Sequence, residues 1–175
     1  MEHPLNQFTN CPKCGSSRFI NNNEKSKVCK QCDFVYYFNP SAATVAVIVN
    51  ELGELLVCKR AKDPAKGSLD LPGGFVDVGE NGEEAIQREV LEEVGLEISS
   101  LSYLFSIPNT YLYSGFLVHT LDLFYLCKVK NTSKLLARDD VADAKFIAID
   151  KIEPINFGLS SIQEGVRRLL DKKII

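Results

Sequence analysis

The stretch from Gly82 to Gly95, "GEEAIQREVLEEVG", constrains the chain more tightly than any other, because as a helix it must have two unlike faces. At ~3.6 residues per turn, Ile86, Val90 and Val94 recur at i, i+4 and i+8 with Leu91 at the border, the stripe of a helix laid against a core. Glu89, Glu92 and Glu93 stand at i, i+3 and i+4 and share an arc of roughly 100° on the other side. A merely solvated acidic face would intersperse lysines. This face has only Arg88, four residues before Glu92, and one such pair offsets a few tenths of a kcal/mol, about the cost of one like-charge pair. The rest of the repulsion is left for a cation. Hard oxygen ligands on one rigid face suit Mg²⁺ or Mn²⁺, which take one or two carboxylates together with substrate phosphate oxygens and water.

A second metal pattern stands at the other end of the chain. Cys11, Cys14, Cys29 and Cys32 give C-x2-C-x14-C-x2-C, with "CPKCG" and "CKQCD" as two knuckles, and such pairs bring four thiolates onto one tetrahedral zinc ion. Two disulfides or a redox pair are the competing reading. A closed shell of four thiolates leaves no open coordination position, so the site is expected to hold the fold and to take no part in catalysis. So short a segment buries little apolar surface, and the metal supplies most of its folding energy. Cys58 and Cys127 lie inside strand-like runs and are expected to be small buried hydrophobes. This cysteine usage points to a reducing compartment.

The proline of "YYFNPSAA" marks a boundary near residue 40, so a zinc ribbon over 1–38 and a main domain over 39–175 are expected. A chain of 175 residues suits one domain with a small appendage. The formal net charge of −3 argues against a large nucleic-acid footprint, although "KSKVCK" is a local basic stretch. An anionic substrate would need a metal. The opening "MEHPLNQFTN" has no basic segment followed by an apolar one, and "ATVAVIV" is far short of the ~20 residues that span a bilayer. A soluble, cytoplasmic protein without a membrane partner is expected.

Along the main domain, "ATVAVIVN" and "LLVCKRA" are β-rich runs joined by "ELGE", which predicts an antiparallel hairpin. The extended pieces of "LDLPGGFVDVG" lead to the helix, where Asn81 and Glu84 form a capping box. Beyond Gly95, "SLSYLFSI", "VHTLDLFYLCKVK" and "KFIAI" read as strands, and "SSIQEGVRRLLDKK" as a second helix capped by Ser161 with Glu164. The pattern predicts an α/β (α+β) sandwich with a mixed sheet and at least two helices.

Residues 74–96 fit G-x5-E-x7-R-E-U-x-E-E-x-G-U, where U is bulky and apolar, at Gly74, Glu80, Arg88, Glu89, Val90, Glu92, Glu93, Gly95 and Leu96. On these positions the chain resembles the Nudix hydrolase family, and the order of elements from about residue 42 resembles its α/β/α fold. The resemblance implies metal-dependent hydrolysis of the pyrophosphate bond in a nucleoside diphosphate linked to another moiety. It implies that Glu89, Glu92 and Glu93 bind Mg²⁺ or Mn²⁺ with the Gly73 carbonyl, that Arg88 orients the glutamates, and that Glu80 is an outer ligand.

A zinc ribbon ahead of such a domain further resembles the NADH pyrophosphatase branch, whose signature is S-Q-P-W-P-F-P-x-S. Here "SIPNTYLYS" stands in its place and agrees at Ser106, Pro108 and Ser114. Tyr111 and Tyr113 would then stack on a base, and Asp140 of "RDDVADAKF" would be the late acidic residue of the metal site. His3 and His119, the only histidines, stand beside no Ser or Cys motif, so no nucleophilic triad competes. The resemblance leaves NADH, ADP-ribose, another dinucleotide or a nucleoside triphosphate open as substrate, and homodimer formation open too. The other class of reading is a noncatalytic Nudix-like ligand sensor, or a ribbon that adapts the chain to nucleic acid. The intact carboxylate set argues against the sensor, and the acidic net charge against the adaptor.

Overall fold

The computed structural model describes residues 3–175, which form an N-terminal unit ending at Pro40 and a second unit, Ser41–Ile175. No helix among the described residues is long and apolar enough to cross a membrane.

The N-terminal unit is a three-stranded antiparallel sheet of β1 (Phe19–Asn23), β2 (Ser26–Cys29) and β3 (Val35–Tyr37). Its small core is Cys11, Phe19 and Cys29, with Cys32 and Phe34 against it. The two knuckles close alike. Gly15 N–H donates to the Cys11 carbonyl at 2.8 Å and Asp33 N–H to the Cys29 carbonyl at 3.0 Å. Gly15 and Asp33 both adopt positive φ, at 75° and 56°, which glycine takes freely and Asp tolerates better than most residues.

The second unit runs β4 (Ser41–Ile48), β5 (Glu54–Arg60), β6 (Leu69–Asp70), α1 (Gly82–Val94), β7 (Ile98–Tyr113), β8 (Phe116–Val129), β9 (Val141–Ala148) and α2 (Ser160–Asp171). One sheet is mixed, in the order β4-β8-β7, with β4 parallel to β8 and β7 antiparallel to it. The other is antiparallel, in the order β6-β5-β9. The expected hairpin of β4 and β5 is therefore corrected. Its turn exists, with Asn50 N–H donating to the Glu54 carbonyl and a single bridge from Val49 to Leu55, but the strands then part into different sheets.

Strand alternation explains the sandwich. Val45 and Val47 of β4, Leu55 and Val57 of β5 and Phe124 of β8 face one core with Ile162, Val166 and Leu169 of α2. The intervening Ala46, Ile48, Leu56, Cys58, Tyr125 and Cys127 face a second core with Ile86, Val90 and Val94 of α1. Strands covered on both faces read as continuous apolar runs, as "ATVAVIV" does. The unit is an α/β/α sandwich, and Cys58 and Cys127 are buried in it.

The helices are held differently. On α1 the Asn81 side chain accepts from Glu84 N–H, the Glu84 side chain accepts from Asn81 N–H, and Gly95 ends the helix at φ 68°. On α2 the expected cap is corrected: Leu159 is the N-cap and no side chain caps it. Ser161 is instead buried with its hydroxyl donated to Asp122, and Glu164 pairs with Arg167 and Arg168.

Candidate active site

Glu89 and Glu92 of α1 and Glu80 ahead of it surround Arg88, whose five N–H groups all have acceptors. Nε and Nη2 grip the two oxygens of Glu80 at 2.7 and 2.8 Å, Nη1 reaches Glu89 at 2.8 Å and Glu92 at 3.2 Å, and Nη2 also donates to the Phe75 carbonyl at 3.0 Å. The Arg88 hydrogen bonds, then the Asp77 N–H, hold the Glu80 carboxyl down to about 2. Burial pushes the Glu89 carboxyl up, and Arg88 opposes it.

Glu93 turns the other way. It accepts from Gly73 N–H at 2.9 Å, and burial, reinforced by Glu89, Asp70 and Asp140, pushes its carboxyl up to about 8 against the Gly73 bond. The loop between β6 and α1 passes this close through two glycines, of which Gly73 meets backbone and Gly74 the Glu89 carboxyl. A Cβ on Gly73, at φ 149°, would lie 2.0 Å from the Thr44 carbonyl oxygen, and one on Gly74 would lie 2.5 Å from a Glu89 oxygen.

Glu93, Gly73 and Gly74 border a cavity of ≈ 180 Å³ that Arg60, Asp70, Asp122 and Asp140 also line. Arg60 is the one lining cation among the described residues, and it is committed to Asp70. The carboxylates thus outnumber the cations both on α1 and in the cavity, and this oxygen-rich surplus fits a hard divalent cation. The carboxylates are not drawn together as ligands, however. Among the described residues only the four cysteines bring at least three ligand atoms within 4.8 Å of one another.

Those thiols fit zinc. Cys11 and Cys32 sulfurs lie 3.8 Å apart and those of Cys14 and Cys29 3.6 Å apart. A tetrahedral ion with Zn–S bonds of about 2.3 Å has ligand edges of about 3.8 Å, whereas a disulfide needs about 2.05 Å.

Of the other residues expected from sequence, Tyr111 and Asp140 line the cavity, and Asp140 is ion-paired with Lys62. Tyr113, 56% exposed near the turn of the β7–β8 hairpin, does not line it. His3 bonds the Asn23 carbonyl and His119 bonds Thr110, away from the cavity lining. Sequence reasoning passed over Arg60, Asp70, Asn109, Thr120 and Asp122. Asp122 had a signal: in "TLDLF" it shares alternation parity with the core residue Phe124, which places a charge on a strand's inward face.

A model of the NUDIX domain matches residues 39–168. The chain is 32% identical over 134 residues to the ADP-ribose pyrophosphatase of Methanocaldococcus jannaschii, covering 75% of this chain and 76% of that protein. It is 27% identical over 145 residues to the NAD-capped RNA hydrolase NudC of Vibrio vulnificus, covering 83% of this chain and 52% of that one, so it spans about half the length of that relative. The crystal structure of a NUDIX hydrolase from Nitrosomonas europaea shares its fold, with a TM-score of 0.74, 19% identity and coverage of 95% of this chain and 93% of that chain. Since the match over residues 39–168 takes in every strand of the second unit and most of α2, the chain belongs to the NUDIX hydrolase family.

Proposed function

We propose that this Nudix hydrolase cleaves the pyrophosphate bond of a nucleoside diphosphate linked to another moiety, such as ADP-ribose, NADH or a similar dinucleotide. The observation that carries this reading is the juxtaposition of the α1 glutamates with a cavity that Glu93 itself lines. The activities for which two relatives are named, an ADP-ribose pyrophosphatase and a NAD-capped RNA hydrolase, support the same substrate class. Mg²⁺ or Mn²⁺ would be held by Glu89, Glu92 and Glu93, aided by the Gly73 carbonyl, with Glu80 and Asp140 as outer contributors. Such an ion, when bound, polarises the phosphoryl oxygens and lowers the pKa of the attacking water.

The chain's own residues do the positioning. Arg88 fixes Glu89 and Glu92 in one geometry, and its grip on Glu80 keeps that carboxylate ionised through the working pH range. Gly73 N–H aims Glu93. The cavity is smaller than the ~300–1,000 Å³ that enclose a drug-sized ligand, so it holds one part of the substrate and leaves the rest toward solvent. Tyr111 offers a ring on which a base can stack. Zinc on Cys11, Cys14, Cys29 and Cys32 is structural.

A product-release assay with ADP-ribose, NADH, a dinucleoside polyphosphate and a nucleoside triphosphate, each with Mg²⁺ or Mn²⁺, tests the reading. Cleavage of a pyrophosphate bond that is lost in Glu93→Gln is the expected result. Binding without cleavage of every compound would overturn it in favour of a ligand sensor.

A further inference from the structure

The β7–β8 wall of the cavity carries a polar patch that the hydrolytic machinery does not use. Register places Asn109 opposite Thr120 and Ile107 opposite Asp122, so all four side chains share one face, and that face continues into the apolar core at Phe124. Where a hydrophobic row would be the default, the chain buries an amide and a carboxylate: Asn109 is 5% exposed and Asp122 4%.

Their hydrogen bonds leave specific valences open. Asp122 accepts the Thr120 hydroxyl on one oxygen and the Ser161 hydroxyl on the other, both at 2.5 Å, so two neutral donors hold it and each oxygen keeps acceptor capacity. Asn109 accepts the Ser160 hydroxyl at 2.9 Å through Oδ1, and its amide nitrogen has no partner among the described residues. Every fully buried side-chain nitrogen or oxygen among those residues does have a partner. The Asn109 amide therefore opens onto the cavity it lines. An amide donor next to a carboxylate acceptor matches a hydroxyl, which donates and accepts at once.

Charge and size narrow the ligand group. On this wall Asp122 is held by hydroxyl donors and no cation, and the one lining cation among the described residues, Arg60, is committed to Asp70, so the wall disfavours a phosphate and favours a neutral donor-bearing group. A volume of ≈ 180 Å³ is below the ~300–1,000 Å³ of sites that enclose a drug-sized ligand, and suits one ring of the substrate in preference to the whole. We propose that Asn109 and Asp122 form a subsite for the hydroxyls of one ribose of the substrate, and that Asp122 selects against a ribose that lacks a hydroxyl or carries a phosphate there. The proposal rests on the pyrophosphohydrolase reading for its substrate, and on the cavity alone for its chemistry.

The probes are ADP-ribose and its 2′-deoxy and 2′-phospho analogues on each of its two riboses, with the full chain. Wild type should show kcat/KM at least tenfold lower for the deoxy and phospho analogues of one ribose. In Asp122→Asn the deoxy penalty should shrink to threefold or less, because cleavage of ADP-ribose falls to the deoxy level, and the phospho analogue should gain. Asn109→Ala, which removes only a bond to a polar serine, should shrink the deoxy penalty and leave the phospho penalty in place; it keeps the test alive if Asp122→Asn does not fold. Binding of the same probes by titration calorimetry needs no turnover. Hydroxyl discrimination in binding that depends on Asp122 or Asn109, with no cleavage, would sink the hydrolase reading and keep the subsite. Equal handling of all analogues by wild type, or discrimination unchanged in both variants, would overturn the subsite, as would absence of any binding.

Discussion

In the N-terminal unit the sulfurs of Cys11 and Cys32 approach to 3.8 Å and those of Cys14 and Cys29 to 3.6 Å, whereas on α1 Glu89 and Glu92 turn to Arg88 and Glu93 turns to Gly73 N–H. The contrast follows from what each ligand type needs before a metal arrives. Thiols, which ordinarily ionise only above neutral pH, accumulate less like charge than carboxylates, so the knuckle turns closed by Gly15 and Asp33 can hold them at ion-binding distance. Ionised carboxylates repel, and each must be satisfied by a cation or a donor. Arg88 supplies five donors, and with Gly73 N–H it satisfies the glutamates without closing them around a common point. A preset thiolate shell suits a permanent ion, and an open carboxylate face suits one that exchanges with solvent.

Chelation should expose this difference most strongly. On brief exposure to EDTA turnover should vanish and return with added Mg²⁺ or Mn²⁺, while elemental analysis continues to find about one zinc per chain. Hydrolysis that persists in chelator would end the assignment of Glu89, Glu92 and Glu93 to a catalytic metal.

Glu93→Gln comes next, since it keeps shape and helix propensity while removing one charge. Turnover should fall by at least about 10²-fold, or ~2.7 kcal/mol. Stability should move the opposite way in metal-free buffer. With its folded pKa near 8 against an ordinary 4.5, Glu93 holds a proton between those values that the unfolded chain has released. Its contribution is therefore fully present below pH 4.5 and is lost as pH rises toward 8, by an amount on the order of 3–5 kcal/mol. Urea denaturation of wild type should weaken between pH 5 and pH 8, and that of Glu93→Gln should weaken less. Parallel pH dependence in both proteins would show that Glu93 is not the strained carboxyl.

Arg88→Lys should cost about tenfold, because a single ammonium cannot occupy the positions of a five-donor fork. Released from that grip, the Glu80 carboxyl should titrate well above 2, which carboxyl-carbon NMR can follow. An unmoved Glu80 titration would mean that the backbone N–H of Asp77 is what holds it.

What could be read from sequence in all this was what is local. Asn81 and Glu84 cap α1, Gly95 ends it, and the cysteine knuckles converge, because each depends on residues a few positions apart. The turn at 50–54 was legible for the same reason, yet β4 pairs with β8, about eighty residues onward, and nothing in "ELGE" encodes that choice. Ser161 and Glu164 have the spacing of a capping box, but Asp122 takes the Ser161 hydroxyl across the sandwich. The α1 half of the site was visible as a helical face. The cavity wall of Arg60, Asp70, Asn109, Thr120 and Asp122 comes from four strands and exists only once they are assembled.

The smallest effect on turnover should come from Cys32→Ser, although the change is drastic where it occurs. Serine is a poor zinc ligand, and three thiolates cannot close a tetrahedral shell, so zinc content should fall well below one per chain. The ribbon core of Cys11, Phe19 and Cys29 is too small to hold its sheet without the ion, and amide exchange over β1 to β3 should become fast. The second unit has two cores of its own, one under each helix, and α1 packs on a core that contains no residue of the ribbon. Turnover normalised to the folded fraction of that unit should stay within about threefold of the parent, a change under ~0.7 kcal/mol in the barrier. A collapse of turnover in a protein whose β4 to α2 amides remain protected would show that the thiolate zinc does more than fold its own unit, and the division between a permanent and an exchanging metal would have to be redrawn.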